Sequence, residues 1–368
     1  MTAPLRVVVL GAGTVGREVV RAILERPDAL RVADGAPLEL AGVAVRDVGR
    51  ALAGGIPEAL LTDAPAHLVA APETDIVIEV MGGDEPARTL IAAALAAGKP
   101  VVTANKHVIA HHGPELEEIA RRTGAALRFE ASVGGGIPVL TPLAADLASN
   151  EVERVRGIVN GTTNYILDQM GEAGVSYNEA LDAARQAGYL EADPSADVEG
   201  LDAVNKLVIL ARLAFGTWLD PAAIANRNAD GPPGITGVTQ ADLAAATEAG
   251  LTIKLIAEAT RGEAGARDTI PAGVSCVALS QWSKLAWIGD VTNCVEIDAV
   301  PLGRVGFNGP GAGGPATASA ILGDLLAIAR GGGSTWAGLP EAGRGRVLPL
   351  VRAEAFQGPS GARYPMIP

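Results

Sequence analysis

Apolar positions follow two alternating rhythms over the first 130 residues. Val7-Val8-Val9-Leu10 is a short continuous run ending in glycine, the pattern of a parallel strand covered on both faces. Val15, Val19 and Ile23 then recur at helical spacing. The alternation continues with strands predicted at 38–45, 75–80, 101–103 and 127–131. Helices are predicted at 86–97 and 114–123, each followed by a glycine, Gly98 and Gly124. Strand and helix taking turns in this way predict a parallel sheet with helices on both faces. Beyond residue 140 the rhythm changes. Helical spacing dominates at 138–150, 163–171, 178–187 and 199–215, and 152–159, 284–287 and 294–297 read as strands of a second sheet. An alanine-rich helix follows at 315–329, and then comes a glycine- and proline-rich tail. The expected fold class is α/β: a Rossmann-type parallel-sheet domain from 1–137 and 310–330, an α+β domain from 138–309, and a C-terminal tail from 331–368. At 38 residues the tail is too short for a third domain and reads as an ordered wrap or a loose extension.

Composition narrows the function classes. With 29 basic and 42 acidic residues the net charge is −13, which argues against a general nucleic-acid binder. Aromatics at 3% leave few platforms for stacking bases. No membrane-length apolar run and no charged-then-apolar leader is present, so no membrane partner is expected and a cytoplasmic location is. Cys276 and Cys294 are too few for a disulfide framework or a thiolate metal site and read as reduced, buried thiols.

Gly11-Ala12-Gly13-Thr14-Val15-Gly16 matches G-x-G-x-x-G between the first strand and the first helix. That context reads as a dinucleotide loop: glycines for a tight turn, for close approach of a pyrophosphate and for helix packing, with the helix N-terminus facing the phosphates. The second strand ends Val45-Arg46-Asp47. An acid there suits a ribose 2′-hydroxyl and an arginine a 2′-phosphate, so Arg46 favours NADP, with NAD possible through Asp47.

Five carboxylates fall between Glu191 and Asp202, namely Glu191, Asp193, Asp197, Glu199 and Asp202, and an apolar helix follows. Asp202 and Lys206 stand i, i+4 on one face of that helix. Burial disfavours an ammonium while neighbouring carboxylates favour it, a balance suited to a general acid; the plain alternative is a surface ion pair. Thr103-Ala104-Asn105-Lys106 follows a strand's C-terminal end, where ligands lie in open α/β sheets, so Lys106 is a candidate for substrate or cofactor. Asn160-Gly161-Thr162-Thr163-Asn164 offers donors to a substrate or caps a helix. His107, His111 and His112 lack an acidic partner in metal spacing and read as surface residues.

These motifs, with Glu79–Gly83, Gly98–Lys106, Phe129–Pro138, Gly188–Lys206 and Gly309–Ala318, resemble the homoserine dehydrogenase family over most of the chain. The resemblance implies reversible reduction of L-aspartate 4-semialdehyde to L-homoserine with a nicotinamide cofactor. Lys206 would be the proton donor and Asp202 would hold the substrate. Glu191 would bind the substrate's ammonium, with Asp197 and Thr162 nearby, and Lys106 would help place substrate and cofactor. The cofactor set would be Gly11, Gly13, Thr14, Val15, Gly16, Arg46, Thr103, Ala104, Lys106 and Gly311. Glu130 and the carbonyls of Val133, Gly135 and Ile137 would ligate a monovalent cation such as sodium. A homodimer built on the sheet of the second domain is also implied. Many family members carry a C-terminal regulatory domain, for which the tail has no room, so little threonine inhibition by that route is expected. Alternatives are another two-domain NAD(P)-dependent dehydrogenase and a non-catalytic dinucleotide sensor. An acylating aldehyde dehydrogenase would need a nucleophilic cysteine that neither thiol suggests.

Overall fold

The computed structural model describes residues 3–30, 36–190, 193–228, 231–262 and 268–367. Two compact units emerge, one of 1–147 with 312–340 and one of 148–311 with 341–368. The boundaries therefore lie at 147/148 and 311/312, where the hydrophobic pattern puts them at 137/138 and 309/310. The tail divides between the two units.

The first unit starts with β1 (Leu5–Leu10), α1 (Thr14–Glu25), β2 (Leu38–Ala44), α2 (Val48–Ala53), β3 (Leu61–Thr62) and α3 (Pro65–Ala70). It continues with β4 (Ile76–Glu79), α4 (Ala87–Ala96), β5 (Val101–Thr103), α5 (Lys106–Thr123), β6 (Leu127–Arg128) and α6 (Leu140–Ala144). All six strands run parallel in the order β3-β2-β1-β4-β5-β6, so the connections reverse direction between β1 and β4. That reversal opens a crevice at the strands' C-terminal ends. Val7, Val9, Ile76, Ile78 and Val102 of the sheet pack with Val19, Val20 and Ile23 of α1.

The pattern does not anticipate α2, β3 and α3, and two of the helices it predicts come out differently. α5 begins at Lys106 rather than at Pro114, because Asn105 caps it by accepting the Val108 N–H at 3.2 Å. Pro114 is carried inside the helix, where it costs a backbone hydrogen bond that the buried Val108, Ile109, Leu116 and Ala120 offset. α6 is a helix of five residues only, in place of the predicted 138–150.

The second unit contains β7 (Glu151–Ile158), α7 (Gly161–Glu172), α8 (Tyr177–Gln186), α9 (Ser195–Val198), α10 (Leu201–Phe215), β8 (Thr217–Trp218) and α11 (Gln240–Glu248). β9 (Leu251–Thr260), β10 (Thr269–Ser280), β11 (Thr292–Val300) and β12 (Gly303–Pro310) follow. Residues 284–287, expected as a strand, form a single 3₁₀ turn. The chain then returns to the first unit as α12 (Gly314–Ala329) before the short tail strands β13 (Gly343–Arg344), β14 (Arg346–Leu348), β15 (Ala355–Gln357) and β16 (Arg363–Ile367).

The larger sheet of the second unit runs β12-β11-β7-β9-β10-β16-β15, with β14 also on β10. The second part of the tail is thus sheet, held further by Tyr364 and Ser360 hydroxyls that donate to Asp242 at 2.9 and 2.7 Å. The first part lies along β6 in the first unit, with the Thr335 N–H donating to the Leu127 carbonyl at 3.0 Å.

Candidate active site

The glycine loop carries three distinct jobs. Gly11 has φ +103°, and a side chain there would meet the Val80 carbonyl oxygen at 2.7 Å. A side chain at Gly16 would stand 2.0 Å from the Gly11 carbonyl oxygen, so only glycine lets α1 sit this close to the loop. At Gly13 a Cβ would meet nothing within 4 Å, which leaves the backbone open for a close ligand. Gly13 also caps α1 without any side-chain hydrogen bond, so the helix's first amides keep their donors for an anion. Gly11, Gly13 and Thr14 border a cavity of about 480 Å³ that continues past Val80 and Met81 to Arg17, Arg46, Asp47, Arg50 and Asp63. Among these, Asp47 has one oxygen engaged locally: its Oδ1 caps α2 by accepting the Arg50 N–H at 2.8 Å.

In the second unit, α10 starts from Gly200 at φ +79° and points Asp202 and Lys206 inward. Lys206 is 7% exposed, so the pair is buried rather than a solvated helix face. The Lys206 Nζ donates to Asp202 Oδ2 at 2.7 Å and to the Val159 carbonyl at 2.6 Å. Asn160, at the end of β7, is the hub. Its Nδ2 donates to Asp202 at 2.9 Å and to Asp197 at 2.7 Å, while its Oδ1 caps α7 through the Thr163 N–H at 2.8 Å. One ammonium, two carboxylates and one amide thus converge where a strand end meets the starts of two helices. Thr162 is turned elsewhere: its hydroxyl donates to the Tyr189 carbonyl at 3.0 Å, tying α7 to the segment before Glu191. Glu191 itself lies outside the described residues.

Lys106 is the first residue of α5 in the first unit. Thr103 and Asn105 just before it are buried and belong to a network anchored on Glu79. Gly311 shows why it has no side chain: a Cβ would fall 1.4 Å from Asn293 Oδ1. Asn293 is 1% exposed, and neither atom of its amide meets a partner among the described residues. Asn293 does not stand out in the sequence, being one of several polar residues in its strand, and Glu79 enters there only as the first residue of a family motif, with no role attached.

The loop proposed for a cation is held by its own hydrogen bonds. Glu130 Oε1 accepts the Val139 and Leu140 N–H groups, each at 2.7 Å. Its Oε2 accepts the Thr141 N–H at 2.8 Å and hydroxyl at 2.6 Å. All four acceptor positions of the carboxylate are used to cap α6, so Glu130 has only its main-chain oxygen to offer a cation. Val133, Gly135 and Ile137 are buried, and no described donor meets their carbonyls, which fits a site built from main-chain oxygens. No cluster of three or more His, Cys, Asp or Glu able to hold a metal occurs among the described residues. The histidines do have an acidic neighbour after all: His112 Nε2 lies 2.7 Å and His107 Nε2 3.9 Å from Asp84 Oδ1.

Two family descriptions match the chain: "Homoserine dehydrogenase, NAD binding domain" over residues 11–130 and "Homoserine dehydrogenase" over residues 138–326. The chain belongs to the homoserine dehydrogenase family. A homoserine dehydrogenase of Corynebacterium glutamicum is 44% identical over 91% of this chain and 76% of its own length. One of Mycobacterium bovis is 46% identical over 89% and 73%. The solved homoserine dehydrogenase of Thiobacillus denitrificans superposes with a TM-score of 0.86 at 35% identity, covering 94% of this chain and 80% of that one. A hyperthermophilic archaeal homoserine dehydrogenase in complex with NADPH gives 0.71 at 27% identity, covering 88% and 97%.

As a homoserine dehydrogenase the chain is an oxidoreductase. It interconverts L-aspartate 4-semialdehyde and L-homoserine with a nicotinamide dinucleotide, in the route to threonine, methionine and isoleucine. No helix among the described residues is long and apolar enough to cross a membrane. Neither thiol is set up as a nucleophile. Both are buried, and burial pushes Cys276 up to about 12 and Cys294 up to about 11. The native enzyme at pH 8 is therefore expected to resist an aromatic disulfide reagent for hours while both thiols react at once in denaturant. Rapid labelling of the native enzyme would contradict this.

Proposed function

We propose that Lys206 is the general acid of homoserine formation, with Asp202 and Asp197 holding the substrate's polar groups, and that NADP is the preferred cofactor. The observation that carries the first part is the buried contact of Lys206 with Asp202 and the Val159 carbonyl. When bound, the dinucleotide supplies the hydride to the aldehyde carbon. Lys206 Nζ then gives its proton to the aldehyde oxygen, where negative charge builds up, and takes one back in the reverse direction. The flanking carboxylates favour the ammonium that must be present before the transfer. Lys106 and, through its carboxylate, Glu191 would complete the substrate's surroundings. Glu130, Val133, Gly135 and Ile137 would hold a monovalent cation such as sodium through main-chain oxygens, which would stiffen the loop between β6 and α6.

The preference for NADP is supported by the wall of the cavity. Arg17, Arg46 and Arg50 line it together, while Asp47, the residue suited to a free ribose hydroxyl, has one of its two carboxylate oxygens engaged in the α2 cap. The NADPH complex of the archaeal relative agrees with this reading. Steady-state homoserine oxidation with each cofactor tests it. Arg46→Ala with Arg50→Ala should raise KM for NADP about tenfold or more, from two lost charge-assisted bonds. KM for NAD should stay within about threefold on the same grounds. An equal loss for both cofactors would show that the arginines do not read the 2′-phosphate.

A further inference from the structure

Glu79 is the last residue of β4 and is 0% exposed. A carboxylate at such a place costs free energy unless donors surround it, and here they do. Oε1 accepts the Met81 N–H at 2.8 Å and Oε2 accepts the Thr103 hydroxyl at 2.6 Å. The Gly82 backbone and the Asn105 amide also face it. Burial pushes its pKa above the usual carboxylate range, and these donors pull it back.

The chain of bonds continues toward α5. The Thr103 hydroxyl oxygen accepts the Asn105 N–H at 2.9 Å, and the Asn105 Nδ2 donates to the Gly83 carbonyl at 2.8 Å. Asn105 Oδ1 then caps α5, whose first residue is Lys106. β4 and β5 flank each other in register, with Glu79 opposite Thr103. One side chain therefore ties together the loop after β4, whose Met81 borders the dinucleotide cavity, and the loop after β5, which leads into Lys106.

We propose that Glu79 is a positioning residue for the reaction: its carboxylate locks the loop after β5 to the loop after β4 and thereby fixes the place from which Lys106 reaches the substrate. The inference rests on the reading that Lys106 acts at the substrate. Every group aimed at Glu79 is a donor, so the position requires an acceptor at both oxygens, and glutamine has only one. In Glu79→Gln the remaining oxygen can still serve Met81, which keeps the cavity wall. The new NH₂ faces a Thr103 hydroxyl that has lost its acceptor, and the turn into α5 is released. The effects on the two loops therefore separate.

The experiment measures kcat, KM for the cofactor and melting temperature for Glu79→Gln, Thr103→Val and Lys106→Ala beside the wild type. Glu79→Gln is expected to lower kcat by about 10- to 100-fold, the scale of a reacting group displaced by an ångström or less. KM for the cofactor should move less than about twofold, since its wall is kept. Thr103→Val removes the same bond from the other side and should lower kcat in the same direction; it decides the matter if Glu79→Gln does not fold. A folded Glu79→Gln with near-normal kcat beside an impaired Lys106→Ala would overturn the proposal. So would a joint loss of kcat and cofactor KM that tracks the melting temperature, because a purely structural strut behaves that way. Near-normal turnover in Lys106→Ala would instead remove the reading of Lys106 on which the proposal stands.

Discussion

Replacing Lys206 by alanine is expected to lower kcat for homoserine oxidation by about 100- to 1,000-fold or more, the range found when a group that meets developing charge is removed. This corresponds to about 3–4 kcal/mol of barrier. Cofactor affinity, read from the fluorescence of the reduced dinucleotide, should be nearly unchanged, because the glycine loop and the arginine-lined cavity lie in the other unit of the chain. The alanine variant also leaves Asp202 buried at 5% exposure without its ion pair, so its melting temperature should fall as well. Lys206→Arg separates the two consequences. Arginine keeps the charge beside Asp202 but does not release a proton at neutral pH. Activity should stay low in the arginine variant while stability is better kept. High turnover with arginine at this position would assign Lys206 to electrostatics and remove it as the acid.

The second large effect is expected at Asn160. Its amide nitrogen is the shared donor to Asp197 and Asp202, and its amide oxygen caps α7. Asn160→Asp keeps the cap but turns the donor into a third carboxylate against two others. Like charges this close, with a lost buried donor, should cost about 3 kcal/mol or more of stability. Turnover should drop about 100-fold, as the lysine's partner is displaced. The loss of stability should shrink as pH falls, since a protonated aspartate at 160 can donate again and its folded-state pKa is raised by its neighbours. Thermal melts between pH 5 and 8 check this. A destabilisation that is the same at both ends would show that the amide is not a donor to the two acids.

The Asp202–Lys206 pair is legible in the sequence because a helix fixes neighbours four residues apart. Its burial is not decided there: the apolar run that follows points to it, a surface ion pair stays open, and the 7% exposure of Lys206 settles the choice. Asn160 is 42 residues away from its partner Asp202, and only the closure of β7 against α10 brings them together. The role of Glu79, whose partner Thr103 stands 24 residues on, is hidden for the same reason. Most of the parallel sheet was readable from the sequence, because buried parallel strands are continuous apolar runs, but the two-residue β3, Leu61–Thr62, was too short to show one. β12, by contrast, holds Gly303, Gly306 and Gly309 and is sheet through its pairing with β11 rather than through any strand propensity of its own. Residues 284–287 have apolar content but no partner strand to make them sheet. Glu130 shows a different limit. Its residue type suits a cation, yet its carboxylate is consumed by a helix start ten residues on, a use that composition does not reveal.

The return of α12 has a consequence for how the enzyme is born. Ala318, Ile321 and Leu325 of this helix pack into the same core as Val19, Val20 and Ile23 of α1. That core is therefore missing a wall until the ribosome has made all of 148–311, a delay on the order of ten seconds or longer at ordinary elongation rates. Through this interval the nascent first unit presents an apolar groove along α1. The intervening unit in turn waits for residues 341–368, whose β14, β15 and β16 complete its own sheet. The order of synthesis thus leaves both units open until late: the dinucleotide fold closes once 312–340 has emerged, and the second sheet closes last, with the tail strands of 341–368.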